Sequence, residues 1–146
     1  METQQQFDPA QFVRATGDAI IAADGNESII FWNAAAERIF GYTEAEALGR
    51  SLHLIIPERL RERHSQGYSH VMKTGESRYG SDLLRVPAMH KDGRALSIAF
   101  TVALLRVPDD ASWIIAATIR DETARWQEER ALRKQIADLE ARVRGQ

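Results

Sequence analysis

Four histidines and no cysteine set the chemistry open to this 146-residue chain. Without cysteine there are no disulfides, no cysteine-containing zinc sites, no thiol nucleophile and no thioether-linked cofactor. His64 is the most informative histidine. It stands four residues after Leu60 and four before Tyr68, in a stretch whose apolar positions Leu60, Tyr68, Val71 and Met72 fall at helical spacing. An imidazole on such a face has two readings: a hydrogen-bonded residue of the core or its rim, or a neutral ring offering a nitrogen to a metal. His53 precedes the same helix and could reach the same space, His70 lies off the apolar stripe, and His90 sits at a turn, so surface or loop roles are expected for these three. No nucleophile–base pairing, metal-ligand cluster or phosphate-cradling glycine loop is visible along the chain. Asp109-Asp110 and Glu128-Glu129 read as solvated charges. Catalysis is therefore not expected.

The elements that must position His64 can be read from turn and cap chemistry. Asp18–Asp24 and Ser28–Trp32 read as two strands joined by the Asp24-Gly25-Asn26-Glu27 turn. Asn33 suits the N-cap of a helix over Ala34–Phe40, with Gly41 as its left-handed stop. Thr43 and Glu46 fit a capping box opening a short helix closed by Gly49. Pro57 suits the first position of a longer helix running to about Thr74, with Gly75 as its stop.

The remainder reads as β. A strand is expected over Arg78–Met89, with a hairpin turn at Lys91-Asp92-Gly93-Arg94. In the next strand Leu96, Ile98, Phe100, Val102 and Leu104 share one face, while Ser97, Ala99, Thr101 and Ala103 share the other. Pro108-Asp109-Asp110 turns the chain into a last strand, Trp113–Arg120. Two strands, then helices, then three strands predict an α+β fold: a five-stranded antiparallel sheet with helices over one face. Trp32 and Trp113 are expected in strand packing, and Trp126 is expected to dock the start of a C-terminal helix.

From Glu122 onward Leu132, Ile136, Leu139 and Val143 follow four, three and four residues apart, the a/d rhythm of a coiled coil. The stripe predicts self-association; a helix folded back on its own domain is the alternative. Two heptads are short, so a homodimer is expected to draw on the domain surface as well. The organisation expected is a flexible lead-in over residues 1–11, one domain over 12–121 and a terminal helix over 122–146.

Bulk composition narrows the function classes. The 44% hydrophobic and 27% charged content is that of an ordinary globular domain, and a net charge of -2 leaves no nucleic-acid footprint. No apolar run approaches the length of a membrane span and Met1–Pro9 carries no signal-peptide pattern, so a cytoplasmic protein without membrane contact is expected.

Over about Phe12–Arg125 the chain resembles a PAS domain. The stretch DAIIAADGNESIIFWNAAAERIFGYTEAEALGRSL is similar to the first half of that fold. Arg85–Thr123 is similar to the second, with its Lys-Asp-Gly hairpin and the closing Asp121-Glu122-Thr123, where the family usually has Asp-Ile-Thr. The resemblance implies a sheet cupping a cavity beneath helices, frequent dimerisation, and signalling through the terminal helices. It implies a sensory module that binds a small ligand or, alternatively, a ligand-free dimerisation and protein-interaction module with an unspecified downstream partner. It does not name the ligand, because members bind haem, flavin, small acids, fatty acids or nothing known.

Missing cysteine removes the cysteinyl-flavin chemistry of light-oxygen-voltage domains and the cysteine-anchored chromophore of xanthopsin-like members. The segment IIPERLRERH with the later MHKDG is similar to rhizobial oxygen-sensing haem-PAS kinases, which implies His64 as the axial ligand of a b-type haem. Leu60, Tyr68, Leu84, Phe100, Val102 and Ile115 are the accompanying candidate cavity lining. If haem is absent, another apolar small molecule or an empty cavity is expected. One departure stands out: where those sensors carry a distal arginine this chain has Leu84, with Arg85 one residue on and therefore on the opposite strand face unless a bulge intervenes.

Overall fold

The computed structural model describes residues 5–76 and 81–145. Helix α1 (Pro9–Ala15) leads into β1 (Ala19–Ala23), β2 (Ile29–Trp32), α2 (Ala34–Phe40), α3 (Glu44–Ala47), a 3-10 turn (Leu52–Ile55) and α4 (Glu58–Thr74). Strands β3 (Leu84–Met89), β4 (Ala95–Arg106) and β5 (Trp113–Asp121) follow, and α5 (Thr123–Arg144) ends the chain. The five strands form one antiparallel sheet in the order β2-β1-β5-β4-β3, the α+β architecture expected.

Register brings one set of side chains to the inner face. Leu84 lies opposite Phe100, Phe100 opposite Ile119, Val102 opposite Ala117, and Leu104 opposite Ile115. Ile21 of β1 joins the same row opposite Ala117. Because side chains alternate along a strand, these pairings place every second residue of four neighbouring strands on the side that the helices cover. Ile21, Ile98 and Ile119 pack there with Ala35, Ala36, Phe40, Ala47 and Ile55.

Asn33 ties the first helices to the sheet. Its Oδ1 accepts from Ala36 N and Ile20 N, each at 3.0 Å, and its Nδ2 donates to Val13 O at 2.9 Å and Asp18 O at 3.0 Å. It is 2% exposed, so a buried amide with every hydrogen-bonding group satisfied joins α1, β1 and α2. Gly41 ends α2 at φ 84°, and the His90 ring packs against it where a Cβ would stand. The Thr43–Glu46 capping box forms; the hydrogen bond from the Lys91 ammonium, then that from Thr43 N, hold the Glu46 carboxyl down to about 2.

Several expectations are corrected. Pro57 is the N-cap of α4 and not its first helical residue: its ψ of 140° is extended, and its carbonyl accepts from Leu60 N to start the helix. Strand β3 begins at Leu84, so Ser81–Leu83 is not strand, and residues 78–80 of the expected strand lie outside the described residues. Leu84 pairs with Phe100, and beyond that point β4 pairs, among the described residues, with β5 alone. The 3-10 turn was not expected; Ser51 Oγ accepts from His53 N to open it.

Helix α5 leaves the domain with no buried residue. Leu132, Ile136, Leu139 and Val143 are 57, 55, 58 and 73% exposed, so the domain does not cover the stripe. Trp126 does not dock. It is 47% exposed, with the Arg130 guanidinium 5.3 Å above its ring. Among the described residues no helix is long and apolar enough to cross a membrane.

Candidate functional site

Between α4 and the inner face of the sheet lies a cavity of about 440 Å³. Sheet residues Leu84, Val86, Ile98, Phe100, Val102, Ile115 and Ala117 form its floor, and Ile55, His64, Gly67, Tyr68 and Val71 face it from the other side. The size falls in the range of small-molecule and cofactor pockets, and so does the mostly apolar lining. Six of the seven residues expected around it, His64, Tyr68, Leu84, Phe100, Val102 and Ile115, are brought together. Leu60 is not among the lining residues. It lies one turn, about 6 Å, before His64 along the helix axis, and His64 is the first residue of α4 on the lining.

Space at Gly67 is part of the design. Glycine inside a helix costs about 1 kcal/mol relative to alanine, yet a Cβ at this position would meet nothing within 4 Å. The missing side chain keeps the cavity open beneath the middle of α4. Tyr68 is the helix's one buried residue, and its hydroxyl donates a short hydrogen bond to the Asp24 carbonyl. Burial, then the negative charges of Asp24 and Glu27, push its phenol above its ordinary value, so it stays a protonated donor.

His64 presents the chemistry. Its Nδ1 lies 3.0 Å from Glu27 Oε2. Burial lowers the pKa of its imidazole, against the opposing pull of the Glu27 hydrogen bond and charge, so the neutral ring prevails. A carboxylate only accepts, hence Nδ1 carries the proton and Nε2 keeps its lone pair, with no hydrogen-bond partner among the described residues. A ligating imidazole is oriented in this way elsewhere, with the second nitrogen donating to a carboxylate.

Glu27 was not singled out as part of this site, and His53, which could reach the same space, was expected in a surface or loop role. Glu27 follows the turn residues Asp24-Gly25-Asn26 and has φ 61°, a left-handed conformation unusual for a glutamate. Leu52 N donates to its carbonyl at 2.9 Å, which lays the 3-10 turn beside it. That contact brings His53 Nε2 to 3.5 Å from Glu27 Oε2 and 2.7 Å from Ser65 Oγ. No metal-ligand cluster was visible along the chain, but the fold brings Glu27, His53 and His64 together with three donor atoms within 4.8 Å of one another. His70 is exposed, and His90 packs at the β3–β4 hairpin against Gly41.

The two residues at the expected distal position separate as strand alternation requires. Leu84 lines the cavity, while Arg85 turns outward and pairs with Glu122 Oε2 at 3.2 Å. The β3–β4 ladder runs without a bulge through this point. Glu122 precedes α5, and its N donates to Ser97 O at 2.8 Å while Ser97 N donates to Thr123 Oγ1 at 3.0 Å. Neighbouring residues of β3 thus face the cavity and the root of the terminal helix.

An antiparallel sheet of this order over a cavity, with a helix leaving its last strand, is the architecture of the PAS fold. Residues 8–121 match the family model of the PAS fold, and the chain belongs to the PAS family. It is 27% identical over 130 residues to the oxygen sensor protein DosP of Escherichia coli, covering 89% of this chain and 16% of that protein. It is 39% identical over 59 residues to the sensor protein FixL of Bradyrhizobium diazoefficiens, covering 40% of this chain and 12% of that one. The matches thus span less than a fifth of these relatives' lengths. The crystal structure of a PAS domain from Colwellia psychrerythraea superposes with a TM-score of 0.66 at 21% identity, covering 79% of this chain and 94% of that one. This last likeness is one of fold.

Proposed function

We propose that this PAS domain is a haem-based gas or redox sensor, with His64 as the axial ligand and α5 as the element that passes on the ligand state. The observation that carries the reading is the neutral His64 ring on the wall of an apolar cavity, its Nδ1 spent on Glu27 and its Nε2 uncommitted. The residues present suit the group: an apolar floor for the macrocycle, and an imidazole whose orientation and tautomer are set by a carboxylate. Bound haem would supply an iron that answers to diatomic gases or to redox state. Similarity to an oxygen sensor supports the same choice. Leu84 on the cavity wall would offer no hydrogen-bond donor to a bound gas, so any polar contact would have to come from another residue.

The relay we propose runs through β3. A ligand pressing on Leu84 moves the residue beside Arg85, and Arg85 holds Glu122 at the root of α5. A ligand shifts the helix only to the extent that it binds one helix arrangement more tightly than another. No catalytic role is assigned; the domain acts by binding, in the cytoplasm.

Adding haemin to the purified protein tests the reading. Expected is the Soret band of a histidine-ligated haem, shifting on carbon monoxide. A spectrum equal to that of free haemin refutes haem as the ligand, and solvent extraction would then separate another apolar molecule from an empty cavity.

The exposed Leu132–Val143 stripe supports homodimerisation through α5. Sedimentation of the wild type should give a dimer that Leu132→Asp with Leu139→Asp converts to monomer; a wild-type monomer at high micromolar concentration would refute it.

A further inference from the structure

Glu27 carries a carboxylate that is only 14% exposed, and its Oε2 stands 3.0 Å from His64 Nδ1 and 3.5 Å from His53 Nε2. A mostly buried carboxylate requires a cation or a full set of donors. Here two part-exposed imidazoles face it, from the 3-10 turn and from α4, with side-chain exposures of 35 and 36%. Three segments distant in sequence converge on this point, and Glu27 is held in a left-handed backbone conformation as they do so.

The spacing suits a metal ion. Bonds of about 2.0–2.1 Å to imidazole nitrogen and carboxylate oxygen put tetrahedral ligand atoms about 3.4 Å apart. Glu27 Oε2 stands 3.0 Å from His64 Nδ1 and 3.5 Å from His53 Nε2, and all three atoms lie within 4.8 Å of one another. Two imidazoles and one carboxylate are the donor set of first-row divalent ions of the zinc, cobalt and nickel type, not of magnesium or calcium. Partial exposure of both rings supplies the entry path and leaves the remaining coordination positions to water.

We infer that Glu27, His53 and His64 form a divalent transition-metal site at the rim of the cavity, pinning α4 and the 3-10 turn to the β1–β2 turn. The inference goes beyond the haem reading and does not need it. Metal at His64 Nδ1 moves the ring proton to Nε2, the nitrogen that an iron would use. Ion and haem therefore compete for one imidazole through its tautomer.

The test is a titration of the haem-free, chelator-treated full chain with Co²⁺ alone, followed by visible d–d absorption and calorimetry. Expected is one Co²⁺ per chain with micromolar or tighter affinity, displaced by Zn²⁺. Glu27→Gln and His53→Ala should weaken binding by about tenfold or more, while His70→Ala, an exposed histidine of the same helix, should leave it unchanged. Far-UV circular dichroism checks that each variant is folded. Absence of saturable absorption in the wild type overturns the site whatever the variants do. Equal binding by folded His53→Ala, or equal loss in His70→Ala, overturns it too. His53→Ala should still take up haemin, so a failed metal titration and a failed haem reading are told apart.

Discussion

The inner face of the sheet is filled at one end and open at the other. Against β1 and β2, α2 packs down until Trp32, Ala35, Ala36 and Phe40 are 0–1% exposed. The rings of Trp32 and Phe40 lie 5.7 Å apart, and Trp32 Nε1 donates to Tyr42 O at 3.0 Å. Against β4 and β5, α4 stands off. Tyr68 alone is buried on it, and Phe100, Val102, Leu104 and Ile115 border empty space while staying half-buried. The two ends use the same strand alternation and the same kinds of residue. Helix spacing and small residues make the difference: Ala35 and Ala36 let α2 approach the sheet, whereas Gly67 leaves α4 without a side chain over the gap. Stability is concentrated at the filled end, and the capacity to bind at the open one.

Truncation is the strongest way to break that contrast. Trp32→Ala should cost ~3–5 kcal/mol in urea unfolding, from lost burial and a new cavity. Phe100→Ala should cost less than half as much, because its ring already borders a void; equal costs would remove the distinction. Asn33→Ala comes next, at ~2 kcal/mol, because buried backbone groups of Ile20, Ala36, Val13 and Asp18 lose their partner. Gly67 gives a smaller effect of opposite sign. Gly67→Ala should stabilise by about 1 kcal/mol, since a Cβ there has free space. Gly67→Leu should keep the fold and reduce haemin uptake, read from the Soret amplitude. A destabilised Gly67→Ala would mean that α4 is packed more closely than described.

The filled end was the more legible in the sequence. Asn33, Gly41, the Thr43–Glu46 box and the Lys91-Asp92-Gly93 turn act within a few residues of themselves, so residue type and offset reveal them. His64 was legible for the same reason, through its spacing from Leu60 and Tyr68. Helical spacing defines a face but not how far along the helix a cavity extends, which is why Leu60 was wrongly included. Glu27 was out of reach, and with it the meeting of His53 and His64 on one carboxylate: 37 residues separate Glu27 from His64, and no local pattern links them. They meet because Ser28 bridges Ser51 and Ile29 N donates to Arg50 O, a tertiary pairing that carries the 3-10 turn to the β1–β2 turn. The left-handed glutamate after Asp24-Gly25-Asn26 left no trace in the sequence. Trp126 misled because an aromatic near a helix start usually finds a surface; here α5 leaves the domain before offering it one.

In the proposed function the open end holds haem through one imidazole. The most direct measurement is the Soret and carbon monoxide-difference spectrum of haemin-treated His64→Ala, recorded with and without added imidazole beside the wild type. Expected is loss of the histidine-ligated spectrum in the variant and its return when imidazole fills the space left by the side chain. A variant whose spectrum matches the wild type without imidazole would show that His64 does not hold the iron.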